Sequence, residues 1–238
     1  MNPAPTLLVI ADIGGYTRFM KSQQTALAHA QVIIARLLET VIDAAAGLEL
    51  IKLEGDAAFF ALAEARAPDW VTHLPERVAE VHQRFRQERL QLVADRTCDC
   101  ESCAQMEMLT LKFVAHVGEV AQQRVGKLHE LAGVDVIVVH RLLKNHVPVA
   151  EYLLTSEALA ARMVLPDGVV SHPQDEQLEG LGLTHVAYLD LDDLPHAPLP
   201  AVAVGRARKL LMRVALEGMA LPRRLGFKAR HMTASNAA

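Results

Sequence analysis

The stretch that most constrains this chain is residues 6–17, TLLVIADIGGYT. A short apolar run, Leu7 to Ala11, passes straight into Asp12, Ile13 and the pair Gly14-Gly15. A run of that length bounded by glycines reads as a buried strand, and Tyr16-Thr17 after it begins a helix. The chain therefore sets a carboxylate at the end of a buried strand, beside a bend only small residues make. Gly14 and Gly15 leave backbone N–H groups exposed at a helix start, an arrangement that attracts phosphate oxygens.

Residues 16–46 read as a long helix, with Phe19, Ala26, Ala30, Ile33, Leu37 and Val41 at three- or four-residue spacing, and Gly47 ends it. LELIKLEGDAAFFAL (48–62) reads as a hairpin turning at Gly55-Asp56. Residues 74–93 form an amphipathic helix with Pro75 near its start. Residues 107–120 read as a strand. GVDVIVVHRLLKNHV (133–147) turns helical after its glycine and groups Ile137, His140, Arg141 and Lys144 within about a turn. YLLTS (152–156) is a short strand with a helix start at Ser156, and HVAYLDL (185–191) is a last strand. The order β-α-ββ-α-β-α-β points to the α+β class, a ferredoxin-like sheet with helices on one face. This domain spans 1–193. A Pro-rich linker (194–204) and a basic helix and tail (205–238) follow.

Asp56 shares the setting of Asp12, on a hairpin tip after a glycine, with Lys52 four residues before it. If the two strands are neighbours, both carboxylates leave one edge of the sheet. Carboxylates that close repel unless a cation or proton lies between them. Mg²⁺ and Mn²⁺ take one or two protein carboxylates together with substrate phosphates. The competing reading is plainer: Asp12 caps the helix and Asp56 serves its turn.

Hydrophobic residues make up 51% of the chain and aromatics only 4%, so the core is mainly Leu, Val, Ala and Ile. The formal net charge of −4 argues against a nucleic-acid binder. The charge is uneven: from Arg206 onward there are eight Lys/Arg and one acid, Glu217. The basic stretch 205–221 suits a helix packed on its own domain or a dimer contact better than a membrane-surface helix. No secretory leader or membrane span is visible, and the three cysteines are a poor disulfide framework, so a cytoplasmic location is expected. Cys98, Cys100 and Cys103 crowd a loop within 95–106. Their spacing suits Zn²⁺ with a fourth ligand from elsewhere, His82 or His116 among the options; a redox pair and three exposed thiols are the alternatives.

VIADIGGYTRF (9–19) resembles the F-x-D-I-x-G-F-T metal motif of class III adenylyl/guanylyl cyclases, and IKLEGDAAFFAL (51–62) resembles their K-x-x-G-D-x-x-x-A hairpin. HVGEV (116–120) resembles their H-T-G-x-V turn, and ELAGVDVIVVHRLL (130–143) their D-x-W-G-x-x-V-N-x-A-x-R-L segment. LLTSEAL (153–159) and EGLGLTHVAYLDL (179–191) resemble the closing strand, helix and strand. The resemblance runs in order over about residues 6–193 and is similar to a group of uncharacterised bacterial cyclase-like proteins.

That resemblance implies two Mg²⁺ or Mn²⁺ ions held by Asp12 and Asp56 with the Ile13 carbonyl, and a triphosphate cradled by Gly14, Gly15, Tyr16 and Thr17. It implies base recognition by Lys52 and Glu130, with Lys52 leaning towards adenine and hence ATP. Arg141 would stabilise the α-phosphorus while the ribose 3′-hydroxyl displaces pyrophosphate. It also implies a homodimer, with the metals from one chain and the base and transition-state residues from the other. Two positions depart from the pattern. Ile137 stands where the family has its transition-state asparagine, and Glu179 and Leu181 stand around the place of its triphosphate lysine. The metal half is therefore intact and the transition-state half altered, so an inactive nucleotide-binding or interaction module is the alternative to a cyclase.

Overall fold

A computed structural model describes residues 3–21, 27–66, 68–96, 104–126 and 128–200, with Val202 and Val214. The cysteine loop with Cys98, Cys100 and Cys103, and nearly all of the expected basic helix and tail, lie outside the described residues.

The first half runs β1 (Ala4–Gly14), α1 (Tyr16–Lys21), α2 (Leu27–Ala44), β2 (Glu49–Glu54), β3 (Ala57–Ala63), α3 (Pro68–Thr72) and α4 (Leu74–Ala94). The second runs β4 (Thr110–Val125), β5 (Leu128–Ala132), α5 (Val134–Arg141), β6 (Tyr152–Ser156), α6 (Glu157–Ala160), β7 (His172–Leu178) and β8 (Gly182–Asp190). The mixed α+β class is as expected. The strands lie in the order β2-β3-β1-β4-β6-β8-β7, with β5 folded back on β4. Every neighbouring pair is antiparallel except β4–β6.

β1 sits inside the sheet, and Leu7 to Ala11 are all buried because both faces are covered. Successive side chains point to opposite faces. Leu7, Val9, Ala11 and Ile13 join a core with Ile33, Leu37 and Val41 of α2 and Val78 and Phe85 of α4. Leu8 and Ile10 join a smaller core on the other face with Phe59, Val114 and Tyr152, covered by Val139 and Leu142 at the end of α5. The long helices thus share one face, and the short α5 crosses the other. By alternation Asp12 belongs to the α5 face.

β7 and β5 extend the sheet beyond the expected strands. Beyond β8, Leu194 is buried, and Gln83 of α4 donates to the Ala197 carbonyl at 2.7 Å. The start of the Pro-rich segment is therefore fastened to the long-helix face.

Candidate functional site

Register brings the two acids together. Asp12 pairs with Ala57 on β3, one residue past Asp56, and the Ile13 amide donates to the Asp56 carbonyl at 3.1 Å. The hairpin tip is therefore bonded to the end of β1. On the other side Asp12 pairs with Lys112 of β4, whose Nζ lies 3.1 Å from Asp12 Oδ2. Both side chains are about four-fifths covered.

The charges at this corner shape one another. Burial, with the Asp12 charge adding to it, pushes the Asp56 carboxyl up to about 6. Burial alone would lower Lys112, but the Asp12 charge and hydrogen bond together with the Tyr152 and Asp56 charges outweigh it and hold the ammonium above its ordinary range. The corner thus holds two carboxylates and one ammonium, with negative charge in excess. Its donors are all oxygen, which suits a hard divalent ion. Among the described residues no three His, Cys, Asp or Glu converge as a metal cage. An ion here would complete its shell with water or phosphate oxygens.

The glycines shape the adjoining bend. A Cβ on Gly14 would stand 2.2 Å from Thr110 Oγ1, so a side chain there would have to displace the Thr110 hydroxyl. Gly15 takes a left-handed φ of +84° and its carbonyl accepts from the Phe19 amide, starting α1. Thr17 is exposed and Ile13 is buried. Tyr16 lines an apolar groove of about 330 Å³ with Met20, Ile34, Leu38 and Leu53.

The other expected residues lie elsewhere on the α5 face. Lys52 sits 2.7 Å from Glu54 Oε1, and His140 of α5 reaches the same oxygen at 3.3 Å. Phe59 lies under both, with the His140 ring edge-on at 4.9 Å and the Lys52 ammonium 5.8 Å from the ring centre. Burial works upward on Glu54, but the Lys52 hydrogen bond and the His140 charge outweigh it and leave its carboxyl below the usual range. Arg141 donates to Glu179 at the β7–β8 turn. Ile137 is 49% exposed, an apolar side chain facing out of α5. Glu130 is half-buried on β5, paired in register with Gln123.

A further string escaped sequence reasoning. Ser156 Oγ lies 2.8 Å from His116 Nδ1, and His116 Nε2 lies 2.9 Å from Asp135 Oδ1. Asp135 Oδ2 also accepts from the Glu119 amide at 2.8 Å. Asp135 fills the space where a Cβ on Gly118 would meet its Cγ at 2.1 Å, so the glycine of HVGEV makes room for that carboxylate. A serine, histidine and aspartate in this order suit acyl transfer, but Ser156 is only 5% exposed. The string instead anchors the start of α5 to β4 and β6; α6 starts at Ser156 as expected, with the Ser156 hydroxyl turned to His116 and not to the helix amides. With both ring nitrogens bonded, His116 is not free as a zinc ligand, and buried His82 faces Glu151 at 3.1 Å.

Lys112 and Glu54 are the residues that sequence reading missed at the site. Alternation along β4 puts Lys112 on the face of Val114, yet only the β1–β4 register reveals Asp12 as its neighbour. Glu54 was legible as a strand residue two places from Lys52, the spacing that puts both on one face.

Comparison with known proteins fits this architecture. The adenylyl cyclase CyaB from P. aeruginosa superposes with a TM-score of 0.62 at 12% identity, over 84% of this chain and 98% of that one. A bacterial light-regulated adenylyl cyclase gives 0.60 at 14% identity, over 90% of this chain, which spans 57% of its length. The guanylate cyclase domain of RhGC from Catenaria anguillulae, solved with GTP, gives 0.51 at 14% identity over 78% of this chain and 96% of that one. At such identities the likeness is one of fold. The uncharacterized protein Rv2561/Rv2562 of Mycobacterium tuberculosis is 47% identical over 200 residues, 82% of this chain and 90% of that protein. Residues 34–152 match the model of a family described as protein of unknown function DUF2652. The chain has a nucleotidyl-cyclase-like fold and belongs to the DUF2652 family.

Proposed function

We propose that this chain binds a nucleoside triphosphate, ATP by the lean of Lys52, together with Mg²⁺ or Mn²⁺ at the Asp12–Asp56 corner. The observation that carries the reading is the convergence of the two carboxylates at the end of β1, with Asp56 raised to about 6 beside Asp12. Neither capping nor turn formation requires two acids to repel one another at one edge.

Asp12 and Asp56 hold the ion, and Gly14 to Thr17 offer amides to the phosphates. A bound divalent ion supplies charge neutralisation and makes the ribose 3′-hydroxyl more acidic. The reaction on offer is intramolecular: the 3′-oxygen bonds the α-phosphorus, the bond to the β-phosphate oxygen breaks, pyrophosphate leaves, and the hydroxyl proton passes to water. Arg141, from a second copy of the chain, would meet the charge gathering on the α-phosphorus. Outward-facing Val134 and Ile137 on α5 give that second copy apolar surface to cover.

A second reading, binding without turnover, draws on two observations at α5. Arg141 is engaged by Glu179, and Ile137 cannot hydrogen-bond a ribose. Loss of one preorganised group costs about 10²–10³ in rate. The two readings part when the purified chain is given each ribonucleoside triphosphate with Mn²⁺. Cyclic product with equimolar pyrophosphate, lost in Asp56→Ala, is the result for a slow cyclase. Saturable ATP binding that needs Asp12 and yields no product is the result for a binding module. Absence of both binding and product would overturn the proposal.

A further inference from the structure

We propose that Lys112 is a built-in counter-ion that competes with the divalent cation for the Asp12–Asp56 corner, so that metal enters together with an anionic ligand rather than before it. The inference deepens the metal–nucleotide reading and rests on it.

The geometry is specific. Asp12 and Lys112 are direct cross-strand partners in β1 and β4, and their charged atoms are 3.1 Å apart. Their backbones are held in the sheet interior by pairing on both sides of β1, so neither strand can withdraw to relieve the contact. Only the lysine side chain, four flexible methylenes long, can leave. It is also well covered: Lys112 is 23% exposed and Asp12 18%. A partner charge so placed is screened far less than a surface ion pair.

The charge balance gives the direction. Two carboxylates and one ammonium leave the corner with one net negative charge. A divalent ion arriving alone turns that into one net positive charge in a half-buried place, and it meets the ammonium within contact distance of its own ligand. A triphosphate arriving with the ion restores negative charge and gives the ammonium phosphoryl oxygens to follow. Lys112 thereby couples the two ligands, opposing the ion alone and favouring the pair.

The test is Mn²⁺ binding to the full chain without nucleotide, read from the free-ion electron paramagnetic resonance signal. Lys112→Gln should bind Mn²⁺ about tenfold tighter or more than the wild type, and Lys112→Arg should stay within about threefold of it. Asp12→Asn added to Lys112→Gln should erase the gain. If Lys112→Gln does not fold, Lys112→Met serves the same comparison. Equal Mn²⁺ affinity in the wild type and the neutral variant overturns the proposal, as does a gain that survives Asp12→Asn. Binding of a fluorescent, non-hydrolysable ATP analogue with Mn²⁺ separates the two claims. Tighter Mn²⁺ in Lys112→Gln with no protein binding the analogue upholds the counter-ion and overturns the nucleotide reading. Analogue binding with Mn²⁺ affinity indifferent to Lys112 does the reverse.

Discussion

The Asp12–Asp56–Lys112 corner and the Arg141 end of α5 differ in what fixes them. The corner is made by register: β1 pairs on both sides, the Ile13 amide is bonded to the hairpin tip, and Gly14 abuts Thr110. Its charged side chains follow from the backbone and are mostly covered. Arg141 is held by a carboxylate that is itself 79% exposed, on a turn between two strands at the far side of the sheet. An exposed ion pair of that kind contributes about 0.2–1 kcal/mol and rearranges readily. The start of α5 is better anchored, through Asp135, His116 and Ser156, than its end. Placement near a site is thus not the same as commitment to it: the corner is built into the sheet, while the other half waits on a second surface.

The largest expected effect breaks the corner outright. Asp12→Asn or Asp56→Ala should lower Mn²⁺-dependent triphosphate affinity at least ~100-fold, whereas Arg141→Ala should change it less than ~3-fold. Titration calorimetry of the three variants checks this, and a larger loss in Arg141→Ala would invert the comparison. Next, Gly14→Ala forces a methyl into Thr110 and should cost about 1–3 kcal/mol in urea unfolding. Adding Thr110→Ala should recover most of it.

On the other side, Ile137→Asn restores a hydrogen-bonding group and should raise any cyclic-nucleotide production by ~10-fold or more. Adding Glu179→Gln, which frees Arg141, should raise it again. Pyrophosphate release reads both steps, and no change in either would locate the limitation away from α5. The smallest effect is on pH. The Asp56 carboxyl rises from its ordinary 3.8 to about 6 on folding, so the folded state binds the extra proton between those values. The Asp56 contribution to stability, read as the difference between the wild type and Asp56→Asn, should therefore increase on acidification from pH 7 towards pH 4 by roughly 1 kcal/mol, after solvent screening. The gain should vanish above pH 7, as urea unfolding of both proteins across that window would show.

Much of this was legible in the chain. The apolar run of β1, the Gly55-Asp56 turn and the spacing of α5 are local signals, and each formed where its pattern placed it. β7 was not legible because HPQDEQL is polar and carries Pro173, which reads as loop. It is an edge strand, where one side needs no ladder and charged side chains face water. β5 is five residues long and pairs only with the outer part of β4. At the site, Asp12 and Asp56 were visible through their glycines. Lys112 was not, because its meaning depends on which residue lies across the strand pair. The Glu54 bridge between Lys52 and His140 likewise needs α5 laid over the sheet. The expected pairing of Lys52 with Glu130 remains a proposal drawn from resemblance, while the carboxylate at 2.7 Å from Lys52 is Glu54.

The central claim is that Asp12 and Asp56 act together on one ion with its triphosphate. Its most direct test is calorimetric titration of a non-hydrolysable ATP analogue into the wild type and Asp56→Ala, each with and without Mn²⁺. The account predicts saturable binding by the wild type that requires Mn²⁺ and is lost in Asp56→Ala. Binding of equal strength in Asp56→Ala, or binding indifferent to Mn²⁺, would contradict it.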